Sequence, residues 1–169
     1  MQQESKYSLD YRALADFRYE IRRFLSFSEQ AARDSGIEPQ QHQALLAIKG
    51  LPPGRRATVG VLSERLQIQH HSAVELSVRL EAKGLIRRAR SRRDRREVLL
   101  SLTRRGEQLL RELTLPHRAE LRSAGPTLLR ALDSAIHMDA YRNGGRKKLE
   151  RAFSKVAQRS AKKKGRAGR

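Results

Sequence analysis

The 169-residue chain contains no cysteine. That excludes a disulfide framework, a thiolate metal site and a peroxide-sensing thiol. Tryptophan is absent and aromatic residues make up only 5 %. No aromatic RNA-binding motif of the RNP type can be traced in them. No run of 18 or more apolar residues exists, so no membrane-spanning helix is expected. The opening MQQESKYSLDYRALADF is polar and has no apolar signal core, which makes a cytoplasmic protein the default expectation. Motifs of catalysis are missing as well. There is no glycine-rich phosphate loop, no GxSxG and no paired carboxylates in an apolar setting, so an enzyme is not expected and no cofactor is implied. The five histidines, His42, His70, His71, His117 and His137, are scattered without HxxxH or HExxH spacing. No metal is expected, because a metal site needs several convergent ligands. A site joining His42 to His117 or to a distant carboxylate stands only as the alternative to that.

Acidic residues are the other scarcity. There are 18 Asp and Glu against 37 Lys and Arg, a formal net charge of +19. A field of that strength attracts polyanions: DNA, RNA or an anionic membrane surface. The charge is unevenly placed. Residues 142–169 carry twelve Lys or Arg and one Glu, which leaves 25 basic and 17 acidic groups for the rest. The final SAKKKGRAGR has no apolar periodicity and reads as a partly disordered basic tail. It is either a solubilising tail or a phosphate-contacting one. A second concentration lies inside the apolar pattern, where LIRRARSRRDRREVLLSL (85–102) holds seven arginines.

The pattern is helical from Leu9 to about Ala32. Leu14, Phe17, Ile21, Phe24, Ser28 and Ala31 recur at spacings of three and four, a seam suited to another helix. DSGIEP (34–39) stops it. A short helix follows from Gln40 to about Lys49, and GLPPGRR is a loop. Thr58 is a fair N-cap for a helix running to Leu66. After the turn QIQ, a second helix runs from about His70 to Lys83 and stops at Gly84. Its inward face is Ala73, Leu76, Ser77 and Leu80. Its outward face carries His70, His71, Ser72, Val74, Glu75, Val78 and Arg79. Two short helices joined by a tight turn, the second with a polar outer face, form a helix-turn-helix. LIRRAR and EVLLSL read as strands around an SRRD turn, and a hairpin in that place is a wing. A long helix begins near Thr103, kinked or interrupted at Pro116 and broken at Gly125–Pro126. The fold class is mainly α with one β-hairpin.

The block TVGVLSERLQIQHHSAVELSVRLEAKGLIRRARSRRDRREVLLSLTRRGEQLL (58–110) resembles the MarR family of winged helix-turn-helix regulators. Four linked features carry the resemblance: VLSERL before the turn, VRLEAKGLI ending the second helix, DRR at the wing, and LTRRGEQLL opening the next helix. By pattern it extends over roughly residues 10–138. It implies a winged helix-turn-helix domain (40–102) flanked by dimerisation helices (9–35 and 103–141), with the basic tail (142–169) outside the family core. It also implies a homodimer on a pseudo-palindromic double-stranded DNA operator, and no membrane partner. Such a regulator reads as a repressor relieved by a small-molecule effector.

Candidate residues follow. Leu14, Phe17, Ile21, Phe24, Leu128, Leu132 and Ile136 are the dimerisation candidates. His70, His71, Ser72, Glu75 and Arg79 are placed to meet the major groove. Glu75 could accept from a cytosine amino group, or simply pair with Arg79 on the helix surface. His70 and His71 could equally be caps or solvated side chains. Arg92, Arg93, Arg95 and Arg96 suit a narrow minor groove, or a generic solvated hairpin. By the family motif, Asp94 and Arg96 form a pair that shapes the wing. Arg55 and Arg56 are candidates for phosphate contact. Two rival functions stand beside the regulator: a nucleoid-type architectural protein with little sequence preference, and an RNA-binding accessory protein using the tail.

Overall fold

The computed structural model describes residues 11–91, 94 and 96–136. Leu9, His137 and the basic tail lie outside them, as do Arg92, Arg93 and Arg95. The described chain forms α1 (Tyr11–Asp34), α2 (Pro39–Lys49), α3 (Val59–Leu66), α4 (His70–Ala82), β1 (Ile86–Arg90), β2 (Val98–Leu102) and α5 (Arg104–Ile136). Two compact units divide it. One spans 23–124; the other takes in the beginning of α1 and the end of α5.

Within 23–124, a single apolar core is built from Leu45 and Ile48 of α2, Leu62 of α3, Leu76 and Leu80 of α4, and Leu110 and Leu113 of α5, among others. Each fully buried leucine contributes on the order of 2–3 kcal/mol over an exposed one. β1 and β2 pair antiparallel, with Ile86 opposite Leu102 and Arg90 opposite Val98. Ile86 and Leu100 enter the core while Arg87 and Ser101 face out. Leu100 N–H also donates to the Ala57 carbonyl at 2.8 Å, and Thr58 bridges Leu99. The segment before α3 therefore anchors the base of the hairpin.

Two glycines fix how α5 meets this core. Gly84 has φ +69°, the left-handed conformation that ends α4 and lets Leu85 N–H bond back to the Leu80 carbonyl at 3.0 Å. At Gly106, a Cβ would stand 2.0 Å from the Leu85 carbonyl oxygen. Thr103 holds the same junction. Its hydroxyl donates to the Gly84 carbonyl at 2.7 Å and accepts from Gly106 N–H at 3.1 Å, so it caps α5 as expected.

The break expected at Gly125–Pro126 is corrected, and Pro116 does not interrupt the helix. α5 is one helix of 33 residues running through both sites. A proline deprives the helix of one N–H and crowds the carbonyl four residues back. Near Pro116, side chains take up carbonyls of that turn. Thr114 donates to Leu110 at 2.7 Å, and His117 Nδ1–H donates to Leu113 at 2.5 Å. Burial of Leu110, Leu113 and Ala124 holds the helix in place.

In the unit formed by the ends of α1 and α5, Leu14, Leu129 and Ile136 are exposed. Phe17, Ile21, Leu128 and Leu132 are half-buried.

Candidate nucleic-acid interface

The helix-turn-helix is built as its residues require. Thr58 caps α3 by accepting from Val61 N–H at 3.2 Å. Gln67 takes φ +54° in the turn, and the Ser63 hydroxyl donates to the Ile68 carbonyl at 2.7 Å. Ser63 therefore ties the turn as well as letting the helices approach. On α4 the inward residues are Ala73, Leu76, Ser77 and Leu80, all buried. The Ser77 hydroxyl is satisfied by its own helix, at the Val74 carbonyl. Val74 departs from expectation: it is half-buried against the core.

The outward face is the opposite in kind. His70, His71, Glu75 and Arg79 are exposed. Among the described residues none of these side chains makes a hydrogen bond or ion pair. The surface pair weighed between Glu75 and Arg79 does not form. Ser72 is half-buried at the edge of the same face.

At the wing the arrangement reverses again, because its turn is tied. Asp94 Oδ1 accepts from the backbone N–H of Arg96 at 2.9 Å. Glu97 N–H donates to the Asp94 carbonyl, and Ser91 N–H to the Glu97 carbonyl, each at 3.0 Å. Asp94 and Arg96 thus meet through the main chain, as an Asx-type turn, and not through the Arg96 side chain. The Arg96 guanidinium has no partner among the described residues. Arg56 spans the turn end of the hairpin, reaching Ser91 Oγ at 3.2 Å and Glu97 at 2.8 Å. Arg55 pairs with Glu64 at 2.7 Å. Both arginines proposed for phosphate contact are therefore engaged within the domain. Sequence reasoning missed the bracing role of Arg56, since its partners lie 35 and 41 residues away. A further clamp joins α4 to β1: Glu81 accepts from Arg88 N–H at 3.0 Å.

The fold does bring His42 and His117 together, their ring centroids 4.8 Å apart. His117 is fully engaged. A carbonyl only accepts, so Nδ1 carries a proton toward Leu113, and Nε2 shares a hydrogen bond with the Ser28 hydroxyl at 2.8 Å. Neither nitrogen of His117 is left for a metal. Phe24 and Phe27 meet the same ring edge-on. His42 is buried, and its Nδ1 has no hydrogen-bond partner. Burial first, and the neighbouring His117 second, lower its pKa to about 4. Among the described residues no group of three or more His, Cys, Asp or Glu could hold a metal ion, and no helix is long and apolar enough to cross a membrane.

Residues 35–97 match the family model described as MarR family. Over those residues the chain is similar to the MarR family. Solved structures extend the likeness of fold beyond residues 35–97. The chain is similar to AbsC, a MarR family transcriptional regulator from Streptomyces coelicolor, with a TM-score of 0.63 and 20 % identity over 85 % of this chain and 95 % of that one. It is similar to MepR, a transcription regulator of the Staphylococcus aureus multidrug efflux pump MepA (TM-score 0.58, 18 % identity, 83 % and 95 % covered). It is also similar to Bordetella bronchiseptica BpsR, whose DNA binding is regulated by 6-hydroxynicotinic acid (TM-score 0.55, 21 % identity, 78 % and 93 % covered). No curated protein matches the chain significantly.

Proposed function

We propose that the protein is a dimeric, sequence-specific DNA-binding transcription regulator, a repressor that a small-molecule ligand releases from its operator. The carrying observation is the outward face of α4. Its polar side chains are exposed and unpartnered, beside a basic hairpin, in a chain of net charge +19. Unsatisfied donors and acceptors on a second helix of this kind suit base edges in the major groove. His70, His71, Ser72, Glu75 and Arg79 are assigned to the groove, and Arg96 with Arg92, Arg93 and Arg95 to the flanking DNA. Arg55 and Arg56 are kept as phosphate contacts of lesser weight, because each already holds a carboxylate.

Dimer formation is supported by the apolar side chains left exposed on the ends of α1 and α5, Leu14, Leu129 and Ile136. The ligand-release part rests on the family resemblance and on the likeness to BpsR.

Footprinting on a site selected from randomised duplex DNA tests the reading. The expected result is two half-sites about one helical turn apart, roughly 34–36 Å. A wild-type monomer at micromolar concentration by sedimentation would overturn the dimer, and Phe17→Glu with Ile21→Glu should produce one. The basic tail supports a second reading, an architectural protein that coats DNA. Uniform protection, lost on deleting 142–169, would decide for it. In the regulator, the same deletion should weaken operator and random DNA about equally, with a shallower salt dependence.

A further inference from the structure

We propose that Val78 reads sequence, by packing against the C5-methyl group of a thymine in the major groove. This rests on the DNA-binding reading above and adds to it the base that one residue selects.

The side chains that stand furthest from the core fall on one line. His71, Glu75, Val78 and Ala82 follow one another at spacings of four, three and four, a single line along α4. They lie opposite the buried line of Ala73, Leu76 and Leu80. No arginine or lysine belongs to that outermost line, so the helix can approach base edges closely along it. Val78 is 45 % exposed and is the one exposed large apolar residue of α4. It takes no part in the core. A β-branched residue on an exposed helix face is also a poor helix former beside alanine or lysine. Folding therefore gives no reason for valine here. Its stiff χ1 does give the two methyls a fixed position once the helix is docked.

The chemistry of the groove names the match. Among the four base edges exposed there, thymine alone presents a methyl group; the others present donors and acceptors only. Valine offers neither donor nor acceptor. Set against a polar edge it would strip water and return nothing. Glu75 lies three residues earlier on the same line, about 4.5 Å along the helix axis. One base-pair step is about 3.4 Å. For a helix lying along the groove, Glu75 and Val78 then face neighbouring steps, a cytosine amino group for the first and a thymine methyl for the second.

The experiment uses the full-length protein. A preferred site is selected from randomised duplex, and each thymine in it is replaced singly by deoxyuridine, which pairs identically but lacks the methyl. For the wild type, one thymine per half-site should be sensitive, with affinity falling about fourfold per methyl removed. Val78→Ala should lose a similar factor on the thymine site and become blind to the same uracil. Val78→Ile should keep the sensitivity. The uracil scan on the wild type stands even if a variant folds poorly. A selected site in which no thymine methyl matters would overturn the assignment and leave the regulator reading intact. So would a folded Val78→Ala that keeps the wild-type response to uracil. Failure to enrich any site would overturn both.

Discussion

α4 has two faces of opposite character. Toward the core, every group is placed. Leu76 and Leu80 are buried, Ser77 is satisfied by its own helix, and beyond the end of α4 the Leu85 carbonyl leaves no room for a Cβ at Gly106. Toward solvent, His71, Glu75 and Arg79 have no side-chain partner among the described residues. The difference separates two kinds of substitution. Changes on the inner side should act on stability, and DNA binding should fall only with the folded fraction. Changes on the outer side should leave stability alone and act on affinity. The turn of the wing lies between these limits, because Arg56 and Asp94 are exposed and Glu97 is half-buried, yet all three are tied.

The largest effect is expected at Gly106. Gly106→Ala drives a methyl into main chain, which no rotamer change can relieve. The expected loss is about 3 kcal/mol or more, or a fall in Tm of about 6–12 °C. Calorimetry or urea unfolding measures it. A loss below 1 kcal/mol would mean that α5 does not pack on the Gly84–Leu85 turn as described.

Second in size is the acid limb of the stability curve. His42 titrates near 6.5 when unfolded and at about 4 when folded, so the unfolded state binds the extra proton between these values. Stability is full above 6.5 and falls as the pH drops toward 4, by up to about 3 kcal/mol. His42→Leu should flatten that limb at little expense, since Nδ1 has no partner to lose. The measurement is unfolding free energy against pH for both proteins. Parallel curves would show that His42 is not the group responsible.

Much of this inner side was legible beforehand. The inward face of α4, the Thr58 and Thr103 caps and the stop at Gly84 follow from periodicity and local backbone chemistry. The hairpin follows from alternation around a Ser-Asp turn. What escaped was non-local. Arg56 finds Ser91 and Glu97 only once the hairpin folds back on the segment before α3. Pro116 and Pro126 read as interruptions because local rules say so, while burial of Leu113 and Ala124 is decided by tertiary packing. His42 and His117, 75 positions apart, do meet, but neither that contact nor the hydrogen bonds that occupy both nitrogens of His117 could be read from spacing.

The wing tests the middle ground. Asp94→Ala removes the acceptor for Arg96 N–H and should lower stability by about 1 kcal/mol. Arg56→Ala removes a half-exposed ion pair and should lower it by less than about 1 kcal/mol. Affinity tells more than stability here. Asp94→Ala makes the protein more positive, so a merely electrostatic loop would bind DNA equally well or better. If the turn orients the wing, operator affinity should instead fall severalfold at fixed salt. Tighter operator binding by a folded Asp94→Ala protein would remove any shaping role from this turn.

The smallest effect on stability, and the sharpest separation of the two faces, is expected at Glu75. Its carboxylate is exposed and makes no bond among the described residues, so Glu75→Gln should leave the unfolding free energy within about 0.5 kcal/mol. On DNA the same change has two opposed consequences. Removing a negative charge near phosphates should strengthen binding to random duplex. Replacing an acceptor-only group by an amide that also donates should weaken the preference for a cytosine amino group. The ratio of operator to random affinity therefore falls even where operator affinity itself barely moves, because one term offsets the other. Titrating both duplexes at two salt concentrations separates them: the charge effect shrinks as salt rises, whereas base discrimination persists. An unchanged ratio would mean that Glu75 stands clear of the bases, and the reading face of α4 would have to be drawn elsewhere on its outer surface.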